Sequence, residues 1–208
     1  MQPQVDIWWL DDAALVVSLT EVPEFDGWDS WLALKAEALM HAYGDRPATL
    51  VNIGGRTGRF VRSRQGDLRV MRRGTRWFGL ADRYWIGWAS RCTRPLLAAA
   101  AASSDFDIGE LWITSVPPDE VARLDALRAA DSYSGWHPVA PPRTAEEVIL
   151  ASEDGLALVW LNPNRDRGTL VEVVAGIARS AGCSVHAIHP VPRTLPPRWV
   201  GGGRYELD

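Results

Sequence analysis

A chain of 208 residues that is 47% apolar can bury a substantial core as one large domain or two small ones, with no need of metal or disulfide staples. Its formal charge of −4 is unevenly spread: residues 46–94 set twelve arginines against Asp67 and Asp82, while the acids concentrate in the two flanks. No apolar run approaches the roughly 18 residues of a membrane span, no signal-like leader opens the chain, and Cys92 and Cys183 are the only cysteines. The expectation is therefore a cytoplasmic protein with free thiols.

In chain order, Val5 to Leu10 is β-prone. After Asp11-Asp12 a second apolar run, Ala13 to Leu19, carries the β-branched Val16-Val17, which favour a strand over a short helix. Beyond Pro23 a helix capped by Asp26 or Asp29 is expected to run to Tyr43. Trp28, Leu32, Ala36, Leu39 and Tyr43 recur there at spacings of three and four, and Gly44 follows as the stop. Ala48 to Ile53 reads as a buried strand ended by Gly54-Gly55.

From Gly54 to Ser90 the pattern changes to short strands cut by glycine turns: Arg59 to Arg64, Leu68 to Arg73, Arg76 to Leu80 and Tyr84 to Ala89, with turns at Gln65-Gly66-Asp67, Gly74-Thr75 and Ala81-Asp82-Arg83. This predicts an arginine-rich antiparallel meander. Its arginines need water, acids or phosphates around them, so the meander is not buried on both faces.

Leu96 to Ser103 is alanine-rich and helix-prone, Ile108 to Thr114 reads as a strand, and Pro117-Pro118 with Asp119 and Glu120 starts a helix to about Ala130. Residues 132–145, rich in proline and glycine, read as a linker between regions 1–131 and 146–208, unless the two share one continuous domain. In the second region Glu147 to Ala151 and Leu156 to Leu161 flank Glu153-Asp154-Gly155, a hairpin signal. Thr169 to Glu172 has capping-box spacing, and Leu170, Val173, Val174, Ile177 and Ala181 form one helical face up to Gly182. Ser184 to Ile188 returns as a strand before a tail expected to be irregular. The order run, acidic turn, run, helix, strand thus occurs in residues 5–53 and again in 147–188, an echo without evident residue identity.

Catalytic and metal signals are weak. Gly54 to Arg59 has the glycines of a phosphate cradle, but a strand follows it where a helix N-terminus is needed. Cys183, His186 and His189 have ligand-like spacing, yet along a strand they alternate between faces and do not converge unless the strand bends. No serine stands in a nucleophile elbow, and neither Asp11-Asp12 nor Glu146-Glu147 projects as a pair. No cofactor is implied, and an enzyme remains open only through residues scattered in sequence.

Two binding signals stand out. Arg62, Arg64, Arg69, Arg72, Arg73 and Trp77 interleave guanidinium groups with a ring, the composition that grips phosphates and stacks on bases of single-stranded nucleic acid. The abundance of arginine over the single Lys35 reflects either a GC-rich genome or a use for planar forks, and most of the eleven tryptophans are expected in the core. The second signal is Glu24, Asp26, Trp28, Asp29 and Trp31, carboxylates for steering and rings for anchoring at the approach to the first helix.

Pro23-Glu24-Phe25-Asp26-Gly27-Trp28-Asp29 resembles the Pro-x-aromatic-x-Gly-x-Asn approach to the inhibitory helix of barstar-like ribonuclease inhibitors. Leu156 to Leu161 and Thr169 to Ile188 resemble that family's strand, helix and final strand. The likeness covers residues 21–53 and 156–188. Asp29 stands where the family has Asn, Trp31 and Lys35 stand where its two enzyme-contacting aspartates fall, and residues 54–146 would be an insertion. The resemblance implies an inhibitor or immunity protein whose partner is a protein with a basic surface, such as a toxin or nuclease. The expected fold is α/β in the α+β sense: a mixed sheet with flanking helices and a central arginine-rich meander. The expected function is protein binding through the acidic helix approach, with nucleic-acid binding through the meander as the alternative and no membrane partner.

Overall fold

The structure, a computed structural model, describes residues 2–10, 14–20, 27–53, 66–75, 82–106, 110–121, 148–151, 157–161, 166–190, 198–200 and 204–206. The elements in chain order are β1 (Gln4–Leu10), β2 (Ala14–Leu19), α1 (Gly27–Tyr43), β3 (Ala48–Ile53), β4 (Arg69–Thr75), β5 (Asp82–Ala89), α2 (Arg94–Phe106), β6 (Glu110–Thr114) and α3 (Pro118–Val121). They continue as β7 (Val148–Ala151), β8 (Ala157–Leu161), α4 (Arg167–Ser180), β9 (Ser184–Pro190) and a ribbon of β10 (Arg198–Val200) with β11 (Arg204–Glu206). Nine strands form one sheet in the order β4-β5-β3-β6-β7-β8-β2-β1-β9. All neighbours are antiparallel except β1 and β9, which run parallel, so the sheet is mixed and the class is α+β. The sheet crosses between the two sequence regions at β6-β7, β8-β2 and β1-β9.

The internal echo takes a physical form in this topology. At the centre β2 and β8 pair with Val16 opposite Val159, so a pseudo-dyad at that pair carries Ala14-Leu15-Val16 onto Ala157-Leu158-Val159. On either side lie the hairpin mates β1 and β7. Each helix then crosses over the other half's hairpin: α1 carries the chain from β2 to β3, beyond β8 and β7, and α4 carries it from β8 to β9, beyond β2 and β1. The halves differ in that β6 lies between β7 and β3, whereas β9 pairs directly with β1.

Strand alternation sorts the core. Ile7 faces Val17 across β1-β2, Leu15 faces Trp160 across β2-β8, and Leu50 faces Ile113 across β3-β6. These residues join Trp31, Leu34 and Leu39 of α1, Leu96 and Leu97 of α2, and Leu170 and Val174 of α4 in one apolar cluster. Each such side chain withdrawn from water contributes about 1.5–3 kcal/mol before the entropy of ordering is set against it. The opposite face is also covered in part, since Val16, Val51 and Ile86 are buried there. Thr49 Oγ1 donates to the Val116 carbonyl at 2.5 Å and Val116 N–H donates to Thr114 Oγ1 at 3.2 Å, which ties the segment after β6 onto that face.

Several expectations are corrected. The buried face of α1 is Trp31, Leu34, Lys35, Ala38, Leu39, Ala42 and Tyr43, whereas Trp28, Leu32 and Ala36 are only partly covered. The expected stripe shares Leu39 and Tyr43 with the buried face but is offset from it, since Trp31, Leu34, Lys35 and Ala38 take the core positions that it gave to Trp28, Leu32 and Ala36. Gly74-Thr75 is not a turn but the end of β4, which pairs with β5 as far as Asp82. Helix α4 begins at Arg167 with Asp166 as its cap, one turn before Thr169, because Asp166 Oδ2 accepts from the Thr169 N–H at 3.1 Å. Its end is a Schellman motif: Cys183 N–H donates to the Ala178 carbonyl and Gly182 N–H to that of Arg179, with Gly182 at φ 82, where a side chain would be strained. The tail is not wholly irregular, since β10 and β11 pair in it. The expected strands 59–64 and 76–80, most of the expected helix from Pro118, and the linker 132–145 lie outside the described residues.

Candidate functional site

Described residues bracket the approach to α1 in the chain. Thr20 N–H donates to the Gln4 carbonyl at the end of β2, and the first turn of α1 abuts the end of α4, where Ser30 Oγ lies 3.1 Å from the position a β-carbon on Gly182 would take. Glu24 and Asp26 fall between these anchors, outside the described residues. Asp29 is exposed in the first turn, and Trp28 is half-buried and packed against the core. Trp31 is a correction: it is 0% exposed and offers no surface to another molecule. Its position three residues before Leu34 and seven before Ala38 places it on the inward side of the helix. Lys35, one turn on, is also fully buried, with Nζ 5.5 Å from the Trp31 ring centroid, a cation–π arrangement.

The arginine block is divided by the fold. Arg62, Arg64 and Trp77 lie outside the described residues. Arg69 is exposed in β4 and paired in register with Trp88, while Arg72 and Arg73 pair with Ile86 and Trp85 beyond a bulge at Met71, their side chains outside the description. Two other arginines of the block turn toward acids of the amino-terminal segment. Arg91 reaches Asp45 at 2.7 Å and Arg94 is bonded to Glu37. Both pairs are well exposed, so they add little stability, but they show where part of the opposite charge goes. Arg46 directs Nη1 at the Ala42 carbonyl near the end of α1.

A third cluster was not legible in sequence. β9 bulges where it meets β1: Val5 pairs with Val185 and Asp6 with Ala187, skipping His186. The extra residue breaks the strand alternation, so both His186 and His189 reach Asp6. Asp6 Oδ1 is 3.1 Å from His186 Nδ1 and 3.5 Å from His189 Nε2. Trp8 stacks on His189 with ring centroids 3.9 Å apart at 17°, and its Nε1 donates to Ser18 Oγ at 3.2 Å. One largely buried carboxylate thus serves two imidazoles, tying the edge strand to its neighbour. Cys183 does not join them. It belongs to the helix-side core, where burial pushes its thiol up to about 11, and among the described residues no group of three or more His, Cys, Asp or Glu side chains is arranged to hold a metal.

A groove of about 600 Å³ runs between α1 and α4, lined by Ala33, Glu37, Val173, Gly176, Ile177 and Ser180. It is wide open, and Glu37, its one ionisable side chain, is already bonded to Arg94, so it lacks the convergent polar groups of an active site. Comparison with protein-family models, with curated proteins and with solved structures finds no match.

Proposed function

We propose that the protein is a cytoplasmic protein-binding module of inhibitor or immunity type, which engages a basic protein, such as a toxin or nuclease, through the acidic approach to α1. Glu24, Asp26 and Asp29 supply the charge and Trp28 an apolar contact, while Trp31 holds the turn from the core side. The observation that carries this reading is the pairing of an exposed Asp29 with a fully buried Trp31 two residues on. A carboxylate on a turn fixed by the core loses little freedom on binding, and freedom lost on binding is a main cost of association. Acids at this end of a helix are also favoured by its dipole. The likeness of residues 23–29 to the barstar-like helix approach supports the same reading. Changing Asp26 and Asp29 together to Ala should weaken partner binding roughly tenfold and flatten its salt dependence, while the loss of two acids at the start of α1 lowers the melting temperature by only about 2–4 °C. Unchanged affinity and unchanged salt dependence would contradict the assignment.

Arg69, exposed and in register with the half-buried Trp88, favours a second reading, binding of single-stranded nucleic acid through β4 and β5 with Arg62, Arg64, Arg72, Arg73 and Trp77. Titration of labelled single-stranded RNA and DNA at low and high salt tests it, because phosphate contacts weaken steeply with salt. Absence of binding at low salt removes this reading.

A further inference from the structure

We propose that the outer edge of β9 is a homodimer seam, at which β9 of a second copy pairs antiparallel and continues the sheet. β9 ends the nine-stranded sheet, and among the described residues no strand pairs with its outer side. The exposure of its side chains agrees: His186 is 55% exposed and Ile188, an apolar residue, 51%. An open edge strand presents unpaired backbone donors and acceptors, and soluble proteins usually blunt it with charge. The other end of the sheet, β4, follows that rule with Arg69, Arg72 and Arg73. From Ser184 to Pro190, by contrast, β9 holds no Asp, Glu, Lys or Arg, so a second copy of itself meets no like-charge repulsion there.

The pseudo-dyad shows what such an edge accepts. β9 corresponds to β3 in the other half, and the outer side of β3 is covered by β5 running antiparallel, from Ala48 opposite Ala89 to Ile53 opposite Tyr84. The corresponding side of β9 has no strand among the described residues, and an antiparallel strand from a two-fold related copy supplies the same ladder to both molecules at once. The Asp6, His186 and His189 contacts on the inner side hold β9 in place for it. This inference does not rest on the function proposed for the approach to α1.

The test is sedimentation velocity on the full chain over a range of concentrations, for the wild type, Ile188→Lys and Met71→Lys. Met71 is the control, being 45% exposed on the opposite edge strand. The expected result is a species of twice the 23.0 kDa chain mass for the wild type and for Met71→Lys, and a monomer for Ile188→Lys with an unchanged circular dichroism spectrum. Hydrogen exchange of wild-type residues 184–190 should slow as concentration rises, a readout that needs no variant. A wild type that stays monomeric at its highest soluble concentration, or a dimer that survives Ile188→Lys, or one abolished equally by Met71→Lys, would overturn the proposal.

Discussion

Trp31 and Asp29 stand two positions apart on one helix and have opposite fates, which is the residue-scale basis of the proposed function. Trp31→Ala should cost about 3–5 kcal/mol of stability in a denaturant melt, the usual loss for a fully buried large ring, whereas Asp29→Ala should cost under about 1 kcal/mol, the share of a first-turn acid in the helix dipole. The two cysteines give a pH prediction. Burial raises the thiols of Cys92 and Cys183 from 9.0 to about 11, so the unfolded chain gives up these protons near pH 9 while the native protein keeps them to about 11. Between those values the unfolded state binds fewer protons, and stability falls as pH rises. Urea melts at pH 8 and pH 10 should show that fall, and Cys92→Ala with Cys183→Ala should reduce it. Native thiols should also react slowly with a disulfide reagent at pH 8. At this scale the sequence disclosed the acidic character of the helix approach but not the inward turn of Trp31. The helical phase of α1 depends on Lys35 being buried beside the Trp31 ring, and a lysine in a core is not readable from its type.

The elements were more legible than their residues. Hydrophobic runs marked β1, β2, β3, β7, β8 and β9 because strands of a sheet covered on one or both faces must be apolar, and the period of α4 was plain from Leu170 through Val174 and Ile177 to Ala181. Boundaries that rest on a single hydrogen bond were not, as at the start of α4. The Thr169 N–H holds the Asp166 carboxyl below its ordinary 3.8, so the cap's contribution is present above that value and is lost as pH falls through the lower native one. Asp166→Ala should lower the melting temperature by about 2–4 °C at neutral pH, with the difference closing in acid. The bulge in β9 was likewise invisible, since an extra residue leaves no mark on a sequence until its pairing is known. Asp6→Ala removes the acceptor shared by His186 and His189. It should loosen β9 by about 1 kcal/mol, read as roughly fivefold faster hydrogen exchange in residues 184–190.

For the whole molecule, the charge blocks and the repeated order of elements were both visible in the chain, yet neither could be placed without pairing. The echo becomes two interlocked halves once Val16 meets Val159, and the identity of Ala14-Leu15-Val16 with Ala157-Leu158-Val159 emerges only in that register. The charge blocks are partly resolved: Arg91 and Arg94 fold against Asp45 and Glu37 at the far half of α1, while Asp29 at its near end and Arg69 on β4 remain exposed. Opposite charge thus pairs around the end of α1, while Asp29 stays outward at its beginning, which is compatible with the proposed steering of a basic partner. The most direct test of that account is to isolate the tagged protein from its native host at low salt and identify what accompanies it. The account predicts a small basic protein that is released by raised salt and absent when Asp26 and Asp29 are Ala. Recovery of nucleic acid in its place, or of the same protein with the double variant, would contradict it.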